Sequence, residues 1–142
     1  MAARLKLDQD TLGLSMLVER ATGVQVKDCF RDENDDTLYF VVPQGLIGKA
    51  LGKGGVNVKN LQQSLNKNVR IIEYRETPVE YIRSIIYPLT VEEIKEDPAQ
   101  NLITLKDSNR KTKSLLIGRE GRNLQLLNRA VKRFFNVEVK VI

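Results

Sequence analysis

Two stretches of this chain, 66 residues apart, carry the same pattern, and that repeat constrains the fold more than any other feature. Leu51-Gly52-Lys53-Gly54-Gly55-Val56-Asn57-Val58 and Ile117-Gly118-Arg119-Glu120-Gly121-Arg122-Asn123-Leu124 agree at both glycines, at the basic residue after the first, at the asparagine and at the apolar residue that follows it. Leu61 and Leu127 coincide at the same offset. A self-similarity at a fixed period means that one supersecondary unit is used twice. The chain has 142 residues, so each copy has about half of it, spanning 1–76 and 77–142.

The surroundings of the two motifs predict the same element order. In the first copy a helix is expected near 8–22, capped by Asp8, with Leu14, Leu17, Val18 and Ala21 on one face and Gly23 at its end. Val24 to Arg31 and Thr37 to Val42 read as a hairpin around the acidic turn 32–36, and Pro43 ends the second strand. A short helix near 44–51, the glycine turn, a helix near 55–66 with Val58, Leu61 and Leu65 inward, and a strand Val69 to Tyr74 complete it.

In the second copy Thr77-Pro78-Val79-Glu80 is a helix start, with Thr as cap, Pro at the first helical position and Glu reaching back. Val79, Ile82, Ile85 and Ile86 form its apolar face, and Pro88 stops it. Strands near 90–95 and 101–106 follow, then helices near 109–117 and 121–135 on either side of the turn. Leu127, Ala130, Val131 and Phe134 point inward, and Val137, Val139 and Val141 alternate with Glu138 and Lys140 in a last strand. The fold class is therefore α+β: twice helix, strand, strand, helix, helix, strand, each a three-stranded sheet covered on one face by helices. The apolar segment from Tyr74 to Leu89 is expected to join the copies, with Tyr74, Tyr81 and Tyr87 as packing residues and Cys29 as a buried one.

Charge follows the repeat. Residues 44–70 hold five basic side chains and no acid, and residues 106–133 hold nine basic against two acidic, for +7. The whole chain carries +5, so everything else carries −7. Two basic blocks set in an acidic frame point to a polyanionic partner. Enzyme designs fall away at the same time. There is no histidine, which removes Ser-His and Cys-His nucleophile pairs and histidine metal ligands, and Cys29 alone makes neither a disulfide nor a cysteine zinc site. No nucleotide-cofactor fingerprint occurs, because neither glycine turn directly follows a strand, so no cofactor, metal or small-molecule substrate is expected. Without a signal-like apolar block or a run long enough to span a bilayer, the chain reads as cytoplasmic, with no membrane partner.

A Gly-x-x-Gly turn between two helices lets a nucleic-acid backbone approach closely. Glycine adds no side chain to clash, and the N–H groups opening the next helix point at whatever lies there. Lys53 and Arg119 add charge at the turns Gly52-Lys53-Gly54-Gly55 and Gly118-Arg119-Glu120-Gly121, and Lys49, Lys59 and Arg122 stand within one helical turn. Asn57 and Asn123 are candidates for hydrogen bonds to phosphate, sugar or base. Ile47, Leu51 and Val58, with Leu116, Ile117 and Leu124, are candidates to line a groove for unstacked bases.

These residues resemble the KH domain, the single-stranded RNA module whose Gly-x-x-Gly loop clamps about four nucleotides. The order with an extra helix and strand at the N-terminal side resembles the type II form. Glu73-Tyr74-Arg75-Glu76-Thr77-Pro78-Val79-Glu80-Tyr81-Ile82, continuing Ile85-Ile86-Tyr87-Pro88, is similar to the segment joining the tandem KH domains of the NusA family, and both glycine turns look like that family's loops. The likeness covers nearly the whole chain. It implies RNA binding in transcription termination or antitermination, with single-stranded RNA as partner and RNA polymerase as a further candidate. The polymerase-binding and S1 domains of bacterial members do not fit into 142 residues, so the short archaeal form is expected.

Two departures distinguish the turns. Gly54 leaves the first uncrowded, whereas Glu120 puts a carboxylate into the second, beside Arg119. The first site is expected to be the stronger, the second acting through avidity along one extended RNA track. An alternative is an adaptor that docks on RNA polymerase or a ribosome-assembly particle through the acidic frame, with RNA secondary.

Overall fold

The computed structural model describes residues 13–33 and 35–142. Helix α1 covers 13–22 of the described chain, and the expected Asp8 cap lies outside the described residues. Then follow β1 (Asp28–Arg31), β2 (Leu38–Val42), α2 (Ile47–Leu51), a 3-10 turn (Lys53–Gly55), α3 (Val56–Leu65) and β3 (Val69–Glu73). The order recurs as α4 (Pro78–Ile86), β4 (Glu93–Asp97), β5 (Leu102–Lys106), α5 (Arg110–Ile117), a 3-10 turn (Arg119–Gly121), α6 (Arg122–Lys132) and β6 (Glu138–Val141). The chain divides into two compact units, Met1–Tyr74 and Arg75–Ile142. Among the described residues no helix is long and apolar enough to cross a membrane.

Each unit has one three-stranded sheet, ordered β1-β2-β3 and β4-β5-β6. The first pair is antiparallel and the second parallel in both (Cys29 opposite Phe40 and Phe40 opposite Ile71, Glu96 opposite Ile103 and Ile103 opposite Val139). A parallel neighbour requires a crossover, and α2–turn–α3 and α5–turn–α6 are those crossovers. The glycine turns thus sit midway along the two connections. This is a tandem KH-like α+β fold.

The first core gathers Val18, Val24, Leu38, Phe40, Val42, Ala50, Leu61 and Ile71, with Cys29 buried among them as expected. Alternate residues of β2 supply its sheet side, as a two-residue period requires. On α1 the inward stripe is Leu14, Val18 and Thr22, four residues apart, while Leu17 and Ala21 are exposed, which corrects the wider face expected. Thr22 is buried because its hydroxyl donates to Val18 O (2.7 Å) and accepts from Val24 N (3.1 Å). In the second unit Tyr81 and Ile82 of α4 are buried with Ile103, Leu105, Leu127, Ala130, Val131 and Val139.

Several boundaries differ from expectation for identifiable reasons. β1 does not begin at Val24: β2 stops at Val42, so nothing lies opposite 24–26, and Val26 N bonds Glu19 Oε2 of α1 (2.8 Å). β4 lies later than 90–95 because the tight turn at 98–101 sets Asp97 opposite Leu102. α6 ends at Lys132, and Phe134 turns inward beyond it, its ring edge-on to Tyr81 at 5.6 Å, with Phe135 at 6.0 Å. Tyr81 therefore packs within its own unit. Tyr87 is 72% exposed, more open than the packing role expected of it. The Thr77 cap is present, its hydroxyl accepting from Glu80 N (3.3 Å), with Pro78 at the first helical position. The Glu80 carboxylate lies 3.6 Å from Arg75 Nε.

Candidate nucleic-acid interface

In each unit the site is built on one crossover, and the two crossovers match in backbone detail. Gly52 (φ 76°, ψ 171°) and Gly118 (φ 74°, ψ 172°) end the first helix. Gly54 (φ 64°, ψ 20°) and Glu120 (φ 57°, ψ 25°) take left-handed backbone, as do Gly55 (φ 74°, ψ 20°) and Gly121 (φ 76°, ψ 13°). Three positive-φ residues in four are reached cheaply only by glycine. The repeat read in the sequence is thus a repeat of conformation.

The two glycines of each turn do different jobs. A Cβ on Gly52 would stand 2.8 Å from Asn57 Cγ, and one on Gly118 would stand 2.6 Å from Asn123 Cγ. Positions 54, 55 and 121 have nothing within 4 Å of a Cβ. The first glycine makes room inside the turn, and the later positions leave room outside it. The asparagines explain the first need. Asn57 Nδ2 donates to Ala50 O (3.2 Å), and Asn123 Nδ2 donates to Leu115 O (2.8 Å). Each side chain closes orphan carbonyls at the end of the preceding helix and ties the two helices together. In each asparagine one face of the amide nitrogen thus serves the fold, and Asn123 remains exposed beside its turn.

No side chain caps the start of α3 or α6, whose N-cap residues are Gly55 and Gly121. The N–H groups of Gly55 and Val56 bond Gly52 O (3.1 Å) and Lys53 O, and those of Gly121 and Arg122 bond Gly118 O (3.1 Å) and Arg119 O, so the open space before each helix meets chiefly the positive end of the helix dipole. Lys53 and Arg119 are exposed at that place, and Lys59 and Arg122 are exposed on the following helices. The basic blocks coincide with the two crossovers: 44–70 runs from the loop before α2 into β3, and 106–133 from the end of β5 through α6. Glu120 is neutralised from a different side than expected, since Arg122 Nη2 lies 3.8 Å from its carboxylate. That pair is exposed and worth at most about 1 kcal/mol. Lys49 leans away from the turn: a Cβ on Gly23 would meet its ammonium at 3.8 Å, beside the end of α1.

The apolar residues divide. Ile47, Leu51 and Val58 are half-buried at the margin of the first core, and Ile117 and Leu124 are half-buried in the second unit. Leu116 is only 3% exposed and belongs to the core, which removes it from the groove. Val56, first residue of α3, is 45% exposed at the turn, and Leu115 is 47% exposed at the position matching Lys49. Sequence reasoning passed over both. Their signal was the comparison of the copies, which puts Val56 opposite Arg122 and Leu115 opposite Lys49.

The edge strands complete each crossover. Gly45 N bonds Glu73 Oε2 (2.7 Å), fixing the entry to α2 on the end of β3. Gln62 Oε1 accepts from Val69 N (3.1 Å), and Asn128 bonds Val139 through both N–H (2.7 Å) and C=O (3.0 Å).

Known proteins are similar to this chain. No protein-family model matches the chain. A "Probable transcription termination protein NusA" of Methanococcus vannielii is 34% identical over 122 residues, covering 85% of this chain and 69% of that protein. A protein of the same name from Methanocaldococcus jannaschii is 29% identical over 142 residues, covering 99% of this chain and 76% of the relative. One from Halococcus morrhuae is 25% identical over 135 residues, covering 95% and 96%. Among solved structures, the crystal structure of APE1850 superposes with a TM-score of 0.74 at 27% identity, covering 92% of this chain and 96% of that one. Repeated crossovers, tandem fold and near full-length similarity agree: the chain belongs to the NusA family.

Proposed function

We propose that this protein binds single-stranded RNA through its two glycine turns and acts in transcription termination or antitermination. The RNA backbone passes each turn on the side left open at Gly54–Gly55 and Glu120–Gly121. Phosphates meet the uncapped starts of α3 and α6, with Lys53, Lys59, Arg119 and Arg122 around them, and bases rest on the half-buried apolar residues. The observation that carries this reading is the matched pair of exposed, basic, left-handed turns in a chain whose relatives are named transcription termination proteins. The protein works by binding and needs no cofactor. RNA polymerase is its candidate protein partner, and its setting is the cytoplasm.

The first turn is the stronger site, because Glu120 sets a carboxylate among the phosphates of the second. The second adds avidity, since both are carried on one chain. Ultraviolet crosslinking to RNA with residue-level mapping tests the reading. Crosslinks confined to the two turns and the starts of α3 and α6 support it. Crosslinks that avoid both turns contradict it. The acidic remainder, −7 outside the basic blocks, favours one other reading, an adaptor that docks on polymerase or a ribosome-assembly particle. A complex that survives nuclease and turn substitutions would support that instead.

A further inference from the structure

One helix position carries a side-chain amide in both units but uses it differently. Gln62 and Asn128 are 66 residues apart, the offset of the repeat, and each projects from the helix after the turn onto the edge strand. Hydrogen bonds at the strand ends fix which peptide groups face outward. Leu38 N bonds Asn68 O and Tyr74 N bonds Val42 O, so 68, 70, 72 and 74 face β2, while Val69, Ile71 and Glu73 face out. Glu138 N bonds Asn101 O and Ile142 N bonds Leu105 O, so Val139 and Val141 face out. Tyr74 corresponds to Ile142, and three residues earlier Ile71 corresponds to Val139.

The two amides land on different residues. Gln62 takes Val69 N, two residues short of Ile71. Among the described residues nothing bonds the outward N–H and C=O of Ile71. Asn128 bonds both groups of Val139. An asparagine side chain offers a carbonyl acceptor next to an amino donor. Adenine and cytosine offer the same pair as a ring nitrogen next to an amino group, so Asn128 holds the place on β6 that such a base edge would need. β3 and β6 border the helices that flank the turns. Ile71 retains 7% exposure and Val139 1%.

We propose that Asn128 is a specificity-determining lock: it fills the base-reading edge of the second module, which then holds RNA by its backbone alone and leaves base discrimination to the first module at Ile71. The proposal rests on RNA lying beside both turns, and its test separates the two. The full chain with Lys53→Asp and Gly54→Asp, which silences the first turn, is titrated with labelled oligo(A), oligo(C) and oligo(U), alone and with Asn128→Ala added. The parent chain is measured alongside. With Asn128 in place, the three affinities should agree within about threefold. Asn128→Ala should open a preference of about tenfold for A or C over U, the scale of one two-bond base contact. Indifference in a folded, RNA-binding Asn128→Ala chain, or strong discrimination with Asn128 present, would overturn the lock alone. No RNA binding by the parent chain would remove the reading it rests on, and the lock with it. The converse variant tests the lock from the other module. Gln62→Asn in the parent chain places the locking residue in the first module and should flatten its base preference; an unchanged preference contradicts the proposal.

Discussion

Glu120 adopts the backbone of Gly54, with φ 57° and ψ 25° against φ 64° and ψ 20°. An L-residue pays about 1–2 kcal/mol for left-handed geometry, and glycine's freedom in the unfolded chain returns about 0.5–1 kcal/mol of that difference. Glu120→Gly is therefore expected to stabilise the second unit by about 0.5–1 kcal/mol, and Gly54→Glu to destabilise the first by a similar amount. Native-state hydrogen exchange of the α6 and α3 amides reads each unit separately. A loss of stability in Glu120→Gly would mean that the 3.8 Å pair with Arg122 outweighs the backbone term.

Gly118 and Asn123 are expected to behave as a coupled pair. Gly118→Ala places a Cβ 2.6 Å from Asn123 Cγ, and crowding of that kind costs about 1–3 kcal/mol. Asn123→Ala alone loses the bond to Leu115 O and costs about 1 kcal/mol. The double variant should cost less than the sum, because the contacts with Asn123 Cγ and Nδ2 disappear and only the 2.9 Å approach to its Cβ remains. Urea denaturation of the four proteins closes the cycle, and strict additivity would show that the close approach is relieved elsewhere.

Thr77 caps α4, the helix that carries the buried Tyr81 and Ile82. Thr77→Ala should cost about 1 kcal/mol, and Thr77→Ser should restore most of it. Equal denaturation midpoints for all three would remove the cap from the account.

Two carboxylates make stability depend on acid. Lys67 hydrogen-bonds Asp36 and holds its carboxyl below the ordinary 3.8, tying the β1–β2 turn to the α3–β3 connection. The Ser108 hydroxyl and N–H hold Glu92 below the ordinary 4.5, tying the entry of β4 to the start of α5. Both shifts are downward, so the unfolded chain takes up protons first. Their stabilisation is present above the ordinary values and is lost as pH falls through the lower, folded ones. Urea midpoints should be level above about pH 5 and decline below about pH 4. Asp36→Asn and Glu92→Gln should each flatten that decline, and a slope unchanged in both would assign it to other groups.

The element order and the turns were legible because each rests on local chemistry. Glycine marks positive φ, proline and threonine mark a helix start, and apolar spacing marks the buried face. What escaped depends on partners distant in sequence. The short β1 follows from where β2 stops, and the late β4 from the turn that pairs Asp97 with Leu102. The structural part of Asn57 and Asn123 escaped because nothing local reveals that the carbonyls of Ala50 and Leu115 lie within reach. Leu116 looked like a groove residue because one step of helix rotation separates it from the half-buried Ile117. The amides of Gln62 and Asn128 became informative only when the strand registers were known.

The central claim is that a nucleic-acid backbone passes the open side of the turns. Lys53→Asp with Gly54→Asp tests it most directly, because a Cβ at position 54 meets nothing within 4 Å and Glu120 already holds the matching place in the second turn. Titration of labelled single-stranded RNA by fluorescence anisotropy should show most of the affinity lost, with the circular dichroism spectrum unchanged. The parent chain should lose affinity with salt at a log–log slope of about −0.7 per phosphate contact. Undiminished binding by the folded variant would contradict the account.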